Sequence, residues 1–309
     1  MVLKRGKQMV PTDNVQGSFM KKIIKSRNGY FVILPTFILV ALFIYYPFLQ
    51  AIHKSFYDWN GAQAHFIGFD NYKRMIFDPE LKKALWNQLI IILVSIVKVI
   101  TIPLIVARFI FTLNIGRLVN GYKLLLLLPM IIPWIVIAFT WRSMYDTNGI
   151  INSIATLLGL EQFIQVWLGD PDIALGSFLF IGFPWAGGIA FLIYLAGFQG
   201  IDQSVLESAK MDGTNTWNRF FRVEFPLIRS QLRILLVLTT IDSLKGYAFL
   251  IFLTNGGPAY STLTPGVWIY HNAFLFSRFG YASAIGVVML IVTALLSWVM
   301  IRATRRTDI

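Results

Sequence analysis

The sequence predicts an all-α, polytopic membrane protein: six transmembrane helices with a polar helical elbow on the cytoplasmic side. Three observations carry this expectation. The 309 residues are 56% hydrophobic and 14% charged, whereas soluble domains run at about 45–50% apolar and about 25% charged. Six apolar runs each approach the roughly 20 residues that cross a bilayer. Between the fourth and fifth lies a polar stretch, ESAKMDGTNTWNRFFRVEFP at Glu207–Pro226, with more capping and stop signals than a plain connection needs. The chain has no cysteine, which excludes a disulfide framework, a thiolate metal site and a cysteine nucleophile.

Residues 1–30 read as a basic tail carrying Lys4, Arg5, Lys7, Lys21, Lys22, Lys25 and Arg27. The first run, Phe31–Leu49, is longer than the roughly 7–15-residue core of a signal peptide and lacks an A-x-A cleavage site, so it reads as a retained anchor. The remaining runs are Leu85–Ala107, Tyr122–Trp141, Ile173–Leu195, Leu232–Leu253 and Ala282–Ile301. Pro35, Pro103, Pro129, Pro133 and Pro184 fall inside them, which membrane helices tolerate when neighbours satisfy the freed carbonyls. Residues 31–309 therefore form one transmembrane domain, with the elbow at 202–226. Eighteen Lys and Arg lie in the two tails and the second and fourth connections, and seven lie on the opposite side. The positive-inside bias places both termini and the elbow in the cytoplasm. The net charge of +12 is then a topology signal rather than a nucleic-acid footprint. The first outer connection, Gln50–Ala84, mixes aromatics with charges and suits a short helix hairpin at the outer interface. Asn148–Asp172, with Glu161, Asp170, Asp172 and Trp167, has the same character.

The elbow parses into two short helices. Asp202 or Ser204 caps the first, Ser204-x-x-Glu207 matches a capping box, and Gly213 stands where a left-handed residue ends it. Val205, Leu206 and Ala209 give that helix a narrow apolar face. Asn215 or Thr214 caps a second helix over Thr216–Glu224, which Pro226 stops. Its Trp217, Phe220, Phe221 and Val223 suit packing on the bundle.

Within the fifth span, Thr239, Thr240, Asp242, Ser243, Lys245, Gly246 and Tyr247 interrupt the leucines. Ionisable groups at membrane depth are costly and face a bundle interior or a watery cavity. Residues 239, 243 and 246 share a helical face with 242 beside it. Asn255, Gly256, Gly257 and Pro258 cannot extend that helix, so the chain turns there. Gly280 with Ala284, and Ala282 with Gly286, give small-x-x-x-small spacing suited to a close helix contact. No phosphate-binding G-x-x-x-x-G-K-[ST] or G-x-S-x-G elbow occurs. His53, His65 and His271 are scattered, so neither a metal site nor an enzyme is expected.

The spacing of Glu207, Ser208, Ala209, Asp212 and Gly213, followed by Phe225-Pro226, resembles the EAA loop of binding-protein-dependent ABC importer permeases. The usual pattern begins Glu-Ala-Ala; Ser208 departs from it at similar size. NGGPAYSTLT at Asn255–Thr264, with IYHNAF and FGYASAIG after it, is similar to the carbohydrate-uptake, maltose-type branch. The resemblance implies a type I ABC importer permease fold in a bacterial cytoplasmic membrane. Its implied partners are a homologous second permease, two ATPase subunits carrying ATP and Mg, an extracytoplasmic solute-binding protein and a saccharide. This chain itself would bind no cofactor and no nucleic acid. The same resemblance makes Glu207, Ser208, Ala209, Asp212 and Gly213 the ATPase-coupling residues. It carries a substrate path onto Thr239, Asp242, Ser243 and Gly246, with the Trp185 ring stacking on a pyranose. Lys245 stays open between an i, i+3 pair with Asp242, an unrelated interhelix contact, and recognition, with Lys98, of an acidic sugar. Ala259–Phe279 is expected outside, either presenting Thr262 or Thr264 to the binding protein or forming a plain turn with an interfacial helix anchored by Trp268 and Tyr270. A non-sugar solute, or an ion-coupled carrier, is the alternative; such carriers commonly show related halves, and no internal repeat is visible.

Overall fold

The computed structural model describes residues 27–113 and 117–304. The basic tail through Ser26, and Arg305 and Arg306, lie outside these residues. By compactness the chain falls into two units, residues 1–53 and 54–309. The first unit is helical, running from Arg27–Val40 through a π turn at Ala41–Tyr45 into Tyr46–Lys54. Its apolar length, Phe31–Lys54, suffices to cross a membrane, and Pro35 sits inside without breaking it.

The second unit opens with a two-stranded antiparallel hairpin, Tyr57–Trp59 against Ala64–Phe66, with Asp58 opposite His65. The Asn60 side chain accepts from the N–H groups of Ala62 and Gln63, and Gly61 takes φ +99°, closing the turn. A helix follows at Asp70–Phe77. The expected helix hairpin is therefore a strand hairpin plus one helix; the aromatic flanks Tyr57, Trp59 and Phe66 around the Asn60-Gly61 turn signal outweighed helical spacing.

The second span is the longest, 34 residues over Pro79–Thr112. Asp78 caps it by accepting from the Leu81 N–H at 2.9 Å, with Pro79 in the first turn where no N–H partner is needed. At Thr101 the backbone leaves the helix (φ −108°, ψ −89°), two residues before Pro103. The sixth span, Phe279–Thr304, is unbroken. The third bends by 88° between Val119–Ile131 and Trp134–Met144, at Pro133. The fifth bends by 45° between Arg229–Lys245 and Tyr247–Thr254, at Gly246.

The fourth run is not one helix. Ala174–Phe180 ends, an irregular segment crosses 181–187, and Gly188–Gln199 resumes. Gly182 and Gly188 hold positive φ, Pro184 supplies no N–H, and Trp185 itself sits at φ +53°. Gly188–Gln199 leads at 71° into Gln203–Met211. That second helix exposes Glu207 and Lys210, so it carries the polar elbow rather than a continuation of the apolar run that ends at Gln199.

Two apolar cores lie one above the other along the spans. One joins Leu104, Ala107 and Ile110 of the second span to Phe191, Tyr194 and Phe198 of the fourth, Phe220 of the elbow and Leu235 of the fifth. The other joins Leu81, Ala84 and Ile91 to Leu250, Leu263, Val267, Trp268, Tyr281 and Ile285. Asp78 knits the second core, accepting from Trp268 Nε1 at 2.9 Å and from the Tyr281 hydroxyl at 2.5 Å. The positions left between the cores, 92–98 and 236–249, hold Ser95, Lys98, Thr239, Asp242, Ser243 and Lys245.

Candidate functional site

The site begins with midpoints. The middle of Pro79–Thr112 falls between Ser95 and Lys98, and the middle of Arg229–Thr254 falls at Asp242. Both spans thus carry their polar residues at the middle of their length, between the two cores. There they border a cavity of about 410 Å³ lined by Ser95 and Lys98 from the second span and by Thr239, Asp242, Ser243 and Gly246 from the fifth. Thr264 also lines it, and Phe178, Leu179 and Phe249 supply apolar wall. Four of the residues expected on a substrate path are brought together. Lys245 is exposed and lies outside the cavity wall. The pair with Asp242, one of its three open readings, does not form: the ion pairs seen among the described residues include Lys73–Asp70, Arg108–Glu224 and Arg219–Glu224, and none joins Lys245 to Asp242.

Trp185 lines a neighbouring cavity of about 610 Å³ with Pro129, Trp141, Phe183 and Pro184. Lys98 connects the two, its Nζ 4.6 Å from the Trp185 ring centroid while it donates to the Leu179 carbonyl. That carbonyl stands at the end of Ala174–Phe180, one of the acceptors a helix C-terminus leaves free. Trp185 Nε1 donates to Ile181 O at 2.8 Å, and the Tyr145 hydroxyl to Ser177 O at 2.8 Å. The broken fourth span is thereby paired by side chains, the condition on which irregular backbone survives at membrane depth. A non-glycine residue at positive φ is uncommon, and such strain collects at functional positions.

Gln88 and Asn87, which sequence reading passed over, do equivalent work. Gln88 Nε2 donates to Ser243 O at 3.0 Å beside the Gly246 bend. Buried Asn87 Nδ2 donates to Ser261 O at 3.0 Å and Leu263 O at 2.9 Å, fastening the outer loop to the second span. The only hint in sequence is two amides opening an apolar run.

The outer turn forms at Asn255–Pro258. Asn255 is left-handed (φ +48°), Gly256 has φ +79°, and the Thr254 carbonyl receives the Gly257 N–H at 2.9 Å. Beyond it the expectation fails in one respect. Thr262 is fully buried, bonded to Thr254 and Gly257 O, and Thr264 is 3% exposed as the cap of Pro265–Tyr270. Neither is presented outward; the exposed tip is Ala259–Tyr260.

The elbow's first helix is Gln203–Met211 and ends in a Schellman pair, with Thr214 N–H on Ala209 O and Gly213 N–H on Lys210 O. Gly213 has φ +70°. Glu207, Ser208, Asp212 and Gly213 are exposed, whereas Ala209 is buried with Leu206 and serves packing. The Ser204–Glu207 capping box is absent: Asp202 is the N-cap without a side-chain bond, and Glu207 accepts instead from Gln203 Nε2 at 3.1 Å. Asn215 caps the second helix, accepting from the Asn218 N–H at 2.8 Å. That helix does not stop at Pro226. Thr216–Arg219 passes through a π turn, Phe220–Glu224, into Phe225–Leu227. The π turn bonds Phe225 N–H to Phe220 O, and Pro226 lies in the first turn of the segment that follows, where it is tolerated. Phe220 packs inward, but Trp217 and Phe221 stack on each other at the surface.

The small-residue face of the sixth span packs within this chain. A side chain on Gly280 would overlap the Tyr57 carbonyl, Ala282 and Ala284 are buried, and Gly286 has open space beside it. Residues 15–308 match the family described as binding-protein-dependent transport system inner membrane component. The chain belongs to that family. This permease is 30% identical over 282 residues to the lactose transport system permease protein LacF of Rhizobium radiobacter, covering 90% of this chain and 94% of that one. It is 30% identical over 286 residues to the sulfoquinovosyl glycerol transport system permease protein SmoG of Agrobacterium fabrum, covering 89% of each. Its fold matches a bacterial ABC transporter involved in import of the acidic polysaccharide alginate. The TM-score is 0.83 at 22% identity, over 94% of this chain and 100% of that one. The permease is thus a multi-pass inner-membrane transport subunit of the ABC importer type.

Proposed function

We propose that this permease forms half of the transmembrane path of an ATP-driven importer that moves a saccharide, of oligosaccharide size, into the cytoplasm by alternating access. The observation that carries the reading is the mid-depth cavity lined by Ser95, Lys98, Thr239, Asp242 and Ser243. Its hydroxyls, one cation and one anion match the donor and acceptor density of a sugar, and the named sugar systems among the relatives support it. An extracytoplasmic binding protein delivers the sugar at the Asn255–Tyr260 tip, a homologous permease completes the cavity, and both termini face the cytoplasm. Residues 1–30 act as the basic tail and 31–309 as the transmembrane domain. The exposed elbow residues Glu207, Ser208, Asp212 and Gly213 meet an ATPase subunit, where ATP and Mg bind, and Ala209 seats the helix behind them.

The test is uptake of a panel of neutral disaccharides by the reconstituted complex. Asp242→Asn and Ser243→Ala should each lower uptake about tenfold or more, as a site left with unpaired polar groups does. Uptake of every sugar at the unaltered rate would sink the reading. A second reading, an acidic saccharide, is favoured by Lys98, which has no carboxylate partner within ion-pair distance among the described residues. Lys98→Met should then abolish uptake of uronate oligosaccharides and spare neutral ones.

A further inference from the structure

The elbow is fastened to the second span by a buried ionic clamp. Glu224 is fully buried, and each of its oxygens takes one guanidinium: Oε1 accepts from Arg219 Nε and Oε2 from Arg108 Nε, both at 2.7 Å. Arg108 Nη2 also donates to Thr216 O at 2.8 Å, and its guanidinium lies 4.5 Å from the Phe220 ring centroid. One side chain from Ile102–Thr112 thereby holds the start, middle and end of the second elbow helix. The π turn makes this possible. Residues five apart on an α-helix diverge by about 140° at 3.6 residues per turn, so Arg219 and Glu224 would not share a face. The i→i+5 bonding of Phe220–Glu224 realigns them.

The same span continues past Thr101 to Lys98, which borders the cavity and grips the broken fourth span at Leu179. We propose that Arg108, Glu224 and Arg219 are positioning residues for coupling, locking the elbow to the second span so that this span transmits elbow movement to the cavity wall. This rests on the elbow docking to an ATPase subunit. Rigid elements joined by such a network are the means by which a distant rotation reaches a site. A fork that binds two acceptors at once is a task for arginine and not for lysine.

The chain lacks cysteine, so a reporter at Ser95→Cys is the single thiol of this chain, and labelling is read on the separated permease band. In the assembled complex in vesicles, its labelling by fluorescein maleimide is compared with and without ATP-vanadate trapping. Trapping should change the labelling rate about tenfold, within the usual range of coupling between sites. In Glu224→Gln and in Arg108→Lys the change should fall below about twofold, while assembly yield and ATP hydrolysis persist. Arg108→Lys keeps both cations beside Glu224, so it decides the matter if Glu224→Gln does not assemble. A full tenfold change in Arg108→Lys overturns the clamp, and so does a loss of hydrolysis in strict proportion to lost assembly. Cross-linking from Lys210→Cys to the ATPase subunit, measured separately, keeps the two ideas apart. Its absence in the otherwise unaltered elbow overturns the docking reading, and its presence with undiminished trapping response in Arg108→Lys overturns the clamp alone.

Discussion

Gly213 gives the cleanest perturbation of the elbow. Its φ is +70°, and a Cβ there would find no heavy atom within 4 Å. Substitution therefore meets no steric clash inside this chain, and its cost is that of the backbone. An L-residue in the left-handed region costs roughly 1–2 kcal/mol, with Asn and Asp spared part of it, and a β-branched residue is an outlier. That strain acts on the Schellman bonds from Thr214 and Gly213 that set the angle between the two elbow helices. If only the closed elbow docks, about 2 kcal/mol lowers apparent affinity for the ATPase subunit about thirtyfold. The expected order is Gly213, then Asn, then Ala, then Val. Affinity is read by titrating the ATPase subunit onto permease in nanodiscs, and coupling by substrate-stimulated hydrolysis in vesicles. Gly213→Val indistinguishable from the unaltered chain refutes the argument. Equal loss in Gly213→Asn and Gly213→Val refutes it differently, because side-chain bulk against the partner, not backbone strain, would then set the cost.

Three further outcomes are expected. Asp78→Asn should destabilise the second core by about 2 kcal/mol, the worth of a hydrogen bond to a charged acceptor, seen as an earlier thermal transition in detergent. Burial pushes the Asp78 carboxyl up, but bonds from Tyr281, the Leu81 N–H and Trp268 outweigh it and hold the group below its ordinary 3.8. A depressed carboxylate stabilises the fold fully above that ordinary value and loses the effect as pH falls through the lowered one, so Asp78→Asn should flatten the acid limb below pH 3.8. Ala259→Cys should cross-link to a loaded binding protein and Thr262→Cys should not, following their exposure; the reverse pattern rejects the exposed-tip assignment. Gln88→Leu leaves the Ser243 carbonyl unpaired at about 1–3 kcal/mol, and a transition temperature equal to that of the unaltered chain would show that another donor replaces it.

What was legible in the sequence was local. Gly213, Asn215 and the Asn255–Pro258 turn write their conformations into residue type, because positive φ and helix capping are decided within a few residues. The capping box failed at the same short range because Gln203, one turn before Glu207, competes for its carboxylate. The fourth span was misread because hydropathy counts apolar residues and not hydrogen bonds. Phe183, Trp185 and Ala186 keep the run apolar while Gly182, Pro184 and Gly187 dismantle its helix. The Arg108–Glu224 and Lys98–Leu179 contacts span 116 and 81 residues, and no local pattern carries them. Arg108 entered the sequence reading only as one positive charge of many.

The breaks and the buried polar side chains nevertheless answer one another. Four carbonyls at the breaks have side-chain donors: Leu179 from Lys98, Ser243 from Gln88 and Ser177 from Tyr145 on other segments, and Ile181 from Trp185 within its own. Three of these four acceptors lie on or beside the cavity, whose wall includes Leu179, Ile181 and Ser243. A wall held by side-chain donors can exchange partners with a ligand hydroxyl, whereas an intact helical ladder cannot do so without unwinding. Under the proposed function, entry of a polyhydroxylated solute replaces one set of donors by another at little net cost in hydrogen bonds. The distribution of helix breaks is therefore itself an argument for transport: an inert membrane anchor gains nothing from interrupting its helices at mid-depth, while a path that must open and close around a polar solute does.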